Sequence, residues 1–353
     1  SFTYTPAADY SGLDSFYYRA FDGVLSSEPV RVRLGTETTE IDIAVYGAVT
    51  GYVPMDYDPG QADNAVTRIL GRRELTITGN GWFAVDLGSV TVHADTILAF
   101  EFANPVEGEI HGIGFDADLA INPELSFQFS GSQDWADQNL NDYAPAAPGA
   151  KSYRIPVGAS YTGDFRYLFF VHDDDSQVGA EARFQNIRIF RDNAVNRWAE
   201  AAGLDLLGNA GMMDDANGDG RPNLYHFAFA QDPLAEAASL RNPMRVQATG
   251  EGAERRLTFT VPVRLGAAFS GQPLTSGPVD GVIYRILGDG DLAPPWGELT
   301  VEEVVPAHDT GLPAFEDFNQ RPGEGWEYRT FRITAPGVEG DPSFIWVDVD
   351  EEP

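Results

Sequence analysis

Gly108-Glu109-Ile110-His111-Gly112-Ile113-Gly114-Phe115-Asp116-Ala117-Asp118 follows the apolar run Thr96-Ile97-Leu98-Ala99-Phe100-Glu101-Phe102, which reads as a strand. The stretch itself alternates with a period of two. Ile110, Gly112, Gly114 and Asp116 fall on one face; Glu109, His111, Ile113 and Phe115 fall on the other. A strand that carries Glu and His, is thinned by glycines and ends in two aspartates is poor core material. It suits a ligand, an ion or a close-packed neighbouring backbone.

The same β signal extends both ways. From Ile41 to Phe190 strand-like runs alternate with Gly, Asn, Asp and Pro, as in Glu74–Thr78, Leu125–Phe129, Ser152–Val157 and Tyr167–Val171. About ten such strands without a convincing helix predict a β-sandwich, of jelly-roll type, over 41–190. Helical periodicity first appears after Arg191: Val195, Trp198, Ala199 and Ala202 share a face, with Asp192 or Asn193 as N-cap and Gly203 as C-cap. A second short helix is expected from Pro222, carrying Leu224, Phe227 and Ala228 and stopped by Asp232-Pro233. The region 191–240 thus reads as a helical linker. Strand patterning resumes over 241–353 (Arg256–Val261, Val282–Ile286, Thr330–Thr334, Phe344–Val349), predicting a second, Ig-like sandwich with a long loop over Gly288–Gly297. The expected class is mainly β, multi-domain β-sandwiches with a short helical linker.

Composition narrows the partners. The chain has 353 residues, 43% hydrophobic and 12% aromatic, enough for more than one core. It carries 54 acidic against 23 basic residues, a formal net charge of −31, which excludes nucleic acid and anionic membranes and suits cations. Lys151 is the single lysine, and there is no cysteine for disulfides or thiolate metal sites. No run of about 18 apolar residues exists to span a membrane. The chain opens on Ser without a signal peptide and is expected to be a processed piece of a longer exported protein, secreted or at the cell surface.

Residues 1–35 read as three strands: Phe2–Thr5, Ser15–Ala20 and Pro29–Leu34, with Gly35–Glu40 as a polar linker. Phe2, Tyr4, Pro6, Gly12, Asp14, Ser15, Phe16, Asp22 and Gly23 resemble the closing part of a bacterial cadherin-like tandem repeat. Three strands cannot bury a sandwich core by themselves, so these are expected to pair elsewhere.

Asp215-Ala216-Asn217-Gly218-Asp219-Gly220-Arg221-Pro222-Asn223 places side-chain oxygens at positions 1, 3, 5 and 9, glycine at 6 and the Arg221 carbonyl at 7. Hard oxygens on one tight turn wrap calcium without ordering much chain. The loop resembles the calcium loops of bacterial dockerin-like and thrombospondin-type linkers. Asp215, Asn217, Asp219, Arg221 and Asn223 are therefore the expected ligands. Position 12, usually acidic in that pattern, is His226.

The opening stretch, then Phe127–Trp135, Tyr153–Gly158, Tyr161–Gly163, Asp173–Asp175 and Phe184–Arg188, follow in the order of a bacterial carbohydrate-binding-module-like sandwich, which this region resembles. The resemblance implies a non-catalytic, sugar-binding jelly roll. Sugar binding needs flat aromatic faces and polar groups for ring hydroxyls. Trp135, Tyr143 and Tyr161 are the expected aromatics, and Glu109, His111 and Gln133 the leading polar groups beside Asp116 and Asp118; Trp82 is expected in the core. The alternative for Glu109 and His111 is an internal structural pair. Asp173 and Asp175 end an apolar strand and read either as a second calcium site or as an exposed acidic turn.

No G-x-S-x-G, H-E-x-x-H, P-loop or dinucleotide fingerprint occurs, and the five histidines are scattered singly, so the chain is not expected to be an enzyme. The leading expectation is a non-catalytic extracellular protein binding polysaccharide or a cell-surface glycan through a calcium-stabilised sandwich. The alternative is a structural or adhesive protein that self-associates into fibres by exchanging N-terminal strands.

Overall fold

The computed structural model describes residues 14–21, 25–27, 30–58, 65–143, 149–175, 179–236, 243–249, 251, 256–291, 294, 297–316, 318–334 and 344–351. The first expected strand, Phe2–Thr5, lies outside these, as do Pro6, Gly12, Asp22 and Gly23 of the cadherin-like pattern. The chain divides into two compact units between Arg191 and Asp192. Both are built from β-sheets, as the alternating sequence predicts.

In the first unit two large sheets face each other across a common core. One runs in the order Lys151–Ile155, Thr96–Val106, Glu181–Arg191, Glu74–Thr78, Val66–Leu70, Glu37–Thr38, with Ile41–Val45 joining Glu181–Arg191 in parallel and Ala48–Tyr52 joining Ile41–Val45. The other runs Gln138–Asn139, Ser126–Ser130, Ile110–Asp116, Gly163–Asp173, Phe83–Val92, Met55–Asp56. Leu75, Leu98, Phe100, Phe102 and Phe184 from the first meet Val85, Ile113, Phe115, Phe127, Phe129 and Phe170 from the second in one buried cluster. Glu37–Thr38 shows that the polar segment 35–40 is not a free linker, because it adds a short edge strand opposite Ile69 and Leu70.

Ile110–Asp116 is central in its sheet and buried along its whole length. Ile113 and Phe115 enter the core between the sheets, whereas Ile110 joins Tyr57, Trp82, Ala84, Tyr167, Phe169 and Val171 in a cluster on the opposite face. The alternation read from the sequence is therefore real, but both faces are covered. The glycines serve close packing: a Cβ on Gly114 would lie 2.1 Å from the Leu125 carbonyl oxygen and 2.6 Å from the Phe169 ring.

Asp14–Tyr18 and Val30–Leu34 pair antiparallel as a two-stranded sheet of their own, with Phe16 opposite Val32.

The second unit joins two short helices to two four-stranded sheets. Helix α1, Ala194–Ala202, starts where Asn193 Oδ1 accepts the Asn196 N–H (2.9 Å) and stops at Gly203 with φ 78°. Helix α2 covers Asn223–Ala228, shorter than the pattern running to Asp232 predicts. One sheet contains Arg245–Thr249, Arg256–Arg264, Trp326–Ile333 and Val301–Val304; the other contains Phe269–Ser270, Leu274–Ser276, Val282–Asp289 and Phe344–Glu351. Trp198, Leu224, Phe227 and Phe229 share one core with Val261, Val263, Tyr284 and Phe331. The described segment 192–236 thus contributes to this unit's core. Its apolar faces are too large to leave in water.

Arg264 sits inside that core with no exposed surface. Its guanidinium lies 4.5 Å from the Phe227 ring centre and 4.4 Å from that of Trp326, and pairs with Asp280 at 2.7 Å. Gln320 Oε1 accepts a further hydrogen bond from it at 2.8 Å. Stacking and pairing together offset the cost of burying the charge.

Gly114→Ala tests the close packing of the central strand. Urea unfolding should show a loss of about 1–3 kcal/mol, the usual range for overpacking, or no folded first unit. An unchanged midpoint would mean the strands separate at little cost.

Candidate metal centres

Two groups of oxygen donors stand out, one in each unit. In the second unit Asp215–Asn223 forms a tight loop in which Gly218 and Gly220 take φ of 71° and 86°. Asp215 accepts the N–H groups of Asp219 (3.1 Å) and Gly220 (2.8 Å), Asn217 Oδ1 accepts that of Asp219 (3.2 Å), and Asp219 Oδ1 accepts that of Arg221 (2.9 Å). The side-chain oxygens the spacing selects thus fold back on the turn's own N–H groups. Asn223 opens α2 and is fully buried. Its Nδ2 donates to the carbonyls of Asn209 (2.8 Å) and Gly211 (2.9 Å), which fixes the amide's orientation. Its Oδ1 has no hydrogen-bond partner among the described residues. A buried amide oxygen without a partner, on the helix that follows a turn rich in Asp and Asn oxygens, fits a cation.

His226 occupies position 12 and is also fully buried. It lies three residues after Asn223 on α2, hence on the same face. Its Nε2 is 3.7 Å from Asp219 Oδ1, and neither ring nitrogen has a hydrogen-bond partner among the described residues. Burial pulls its pKa down, with Asp219 opposing, which favours the neutral imidazole.

In the first unit, Glu109, Asp173 and Asp175 bring carboxylate oxygens within 4.8 Å of one another. The hub is Gly108-Glu109, just before the central strand. The Glu109 N–H donates to the Asp173 carbonyl (2.7 Å), and Ser132 and Gln133 N–H donate to the Gly108 and Glu109 carbonyls (3.2 and 2.9 Å). Gly131 is required there: its φ is 130°, and a Cβ would lie 2.2 Å from the Glu109 carbonyl oxygen. Glu109 Oε1 accepts Gln133 Nε2 (2.6 Å) and Oε2 accepts the Asp175 N–H (3.0 Å). Glu109 is buried, Asp173 half-buried and Asp175 exposed. Burial, reinforced by Asp175 and Glu109, pushes the Asp173 carboxyl up to about 6, and a hydrogen bond with Glu109 raises that of Asp175. Such mutual repulsion is relieved by a proton or a cation.

The spacing of the sequence gives no hint that Glu109 meets Asp173 and Asp175. Their meeting follows from the pairing of Ile110 with Asp173 across neighbouring strands. The structure thus unites one residue expected to touch sugar with two expected to hold calcium.

The remaining sugar candidates divide. Gln133 is exposed at the rim of the carboxylate cluster. Trp135 is half-buried, its ring 4.9 Å from that of Trp82 and edge-on to it, while Trp82 is buried as expected. Tyr143 packs edge-on against Phe102 at 5.0 Å and its hydroxyl accepts the Asn104 N–H (3.0 Å). The Tyr161 hydroxyl accepts the Phe115 N–H and donates to the Leu125 carbonyl (2.8 Å). All three aromatics are half-buried, Tyr143 and Tyr161 against the core between the sheets and Trp135 against the cluster on the opposite face. Asp116 accepts the Tyr57 hydroxyl (2.9 Å) and is buried, and Asp118 caps the turn at Ala120.

His111 is not on a ligand face; it is fully buried. Its Nε2 accepts the Gly108 N–H (2.9 Å), so a neutral ring carries its proton on Nδ1, which lies 3.0 Å from His172 Nδ1. His172, also fully buried, is the partner that sequence reading missed. It faces His111 in register on the adjacent strand. Burial lowers both pKa values, to about 3 for His111, with His172 contributing, and to about 4 for His172.

No protein-family model matches the chain, and no curated protein matches it. No helix among the described residues is long and apolar enough to cross a membrane.

The histidine pair sets a pH dependence. Both folded values lie below the ordinary 6.5, so the unfolded chain binds more protons between them. Their contribution to stability is complete above pH 6.5 and is lost as pH falls through about 4 for His172 and about 3 for His111. Each histidine adds a slope of up to about 1.4 kcal/mol per pH unit. Denaturant unfolding in chelator at several pH values should show this slope, reduced in His111→Gln. Equal slopes in the two proteins would refute the assignment.

Proposed function

We infer that this chain is a non-catalytic protein of the cell exterior, secreted or surface-held, that binds polysaccharide at a calcium-dependent site made by Glu109, Asp173 and Asp175. One observation carries the reading: the buried Glu109 carboxylate is held by Gln133 on one side while facing Asp173 and Asp175 on the other. Three carboxylates at graded depth suit a hard cation that keeps part of its hydration. The ion supplies positions where adjacent sugar hydroxyls replace water. Gln133, exposed beside it, offers an amide to a neighbouring hydroxyl. The net charge of −31 favours the cation and a neutral glycan over an anionic one.

A glycan array probed with calcium and again with chelator tests this directly. Binding should need calcium, and Glu109→Gln should weaken it by at least about tenfold, or about 1.4 kcal/mol. Calcium should also raise the melting temperature of the wild-type chain. Glycan binding indifferent to chelator would overturn the metal's role; no glycan binding at all would overturn the reading.

A second reading, assembly into fibres through the N-terminal strands, draws on the separate two-stranded sheet Asp14–Tyr18 with Val30–Leu34. Tyr18, Phe21 and Leu25 around it are exposed by 51%, 67% and 71%. Two strands are marginal without a partner. Light scattering of the purified chain decides it: a monomer at all concentrations excludes assembly.

A further inference from the structure

We propose that the loop Asp215–Asn223 together with His226 binds a first-row transition cation such as Mn2+ or Co2+ in preference to calcium, with His226 Nε2 as a ligand. The inference is independent of the reading of the first unit. Three facts converge on it. The place where a calcium loop of this pattern has its bidentate carboxylate is filled here by an imidazole. That imidazole is fully buried, and neither ring nitrogen has a hydrogen-bond partner within 3.5 Å among the described residues, an expensive arrangement for a merely structural histidine. Its Nε2 and Asp219 Oδ1 are 3.7 Å apart. Metal–ligand bonds of about 2.1 Å let two donors up to about 4.2 Å apart share one ion. The gap is too long for a hydrogen bond and fits a common metal.

The donor chemistry points the same way. Asp215, Asn217, Asp219 and Asn223 supply oxygens, the last of them orphaned and fully buried. Calcium needs six to eight oxygens and gains little from nitrogen. Replacing the bidentate carboxylate removes two of them and one negative charge. Imidazole favours the transition series, while the amide and carboxylate oxygens suit its harder early members.

The test is metal titration of the full chain after chelation, followed by calorimetry and by visible absorption for Co2+. Mn2+ and Co2+ should bind at least tenfold tighter than Ca2+ at this locus, and Mn2+ should broaden the His226 imidazole resonances. His226→Gln should lose tenfold or more in Mn2+ affinity, and His226→Glu should reverse the order in favour of Ca2+. The same titrations in Glu109→Gln should be unchanged, which separates this site from that of the first unit. Calcium displacing Mn2+ at equal concentration, or Mn2+ binding without broadening of His226, would overturn the proposal. If either variant fails to fold, the broadening in the unsubstituted chain decides alone.

Discussion

The close approach of backbones around Gly108–Gly114 is the constraint on which the first unit depends. Removing Cβ atoms lets the Leu125 carbonyl and the Phe169 ring sit against Gly114, and lets Gly131 rest on the Glu109 carbonyl. That contact draws the loop 131–133 onto Glu109, while the strand pairing draws Asp173 there from the other side. The carboxylate cluster is a by-product of how tightly these strands are laid together. Asp173 and Asp175 come from one strand end, the first tied to the Glu109 N–H through its carbonyl and the second donating its N–H to the Glu109 carboxylate.

The two candidate centres represent different solutions to the same problem. The loop Asp215–Asn223 gathers its donors locally, by a turn that needs two left-handed glycines. Only Asn223 and His226 are contributed by a helix, and both are buried within it. The cluster at Glu109 gathers its donors across strands and keeps one carboxylate in the open. A local loop is easily read from a sequence. A site closed by sheet pairing is not.

That difference explains what the sequence made legible. The alternation around Ile113, the caps Asn193 and Gly203, the strands at Arg256 and Val282, and the calcium-type spacing all arise from neighbours a few residues apart. Residues far apart in the chain were opaque. Glu109 and His111 read as sugar contacts or as a structural pair with each other, because nothing nearby announces His172 and Asp173 is remote. Trp135 and Tyr143 read as candidate sugar-stacking aromatics from their loop-like surroundings; their packing on Trp82 and Phe102 is decided by tertiary contact. Helices α1 and α2 were legible as helices but not as core, since an apolar stripe says that it will be covered and not by what.

Arg264 has a consequence for how the second unit comes together. Its charge is compensated by groups from four separate parts of the chain: the Phe227 ring on α2, the Trp326 ring, the Asp280 carboxylate and the Gln320 amide. Withdrawing any one of them weakens the compensation of a cation held in a low-dielectric interior. A half-assembled unit, with the sheets formed and the helices detached, is therefore penalised by the very residue that the finished unit accommodates. The helices and the sandwich must melt as one cooperative body, and a bound ion held by α2 would transmit its stabilisation to every strand around it.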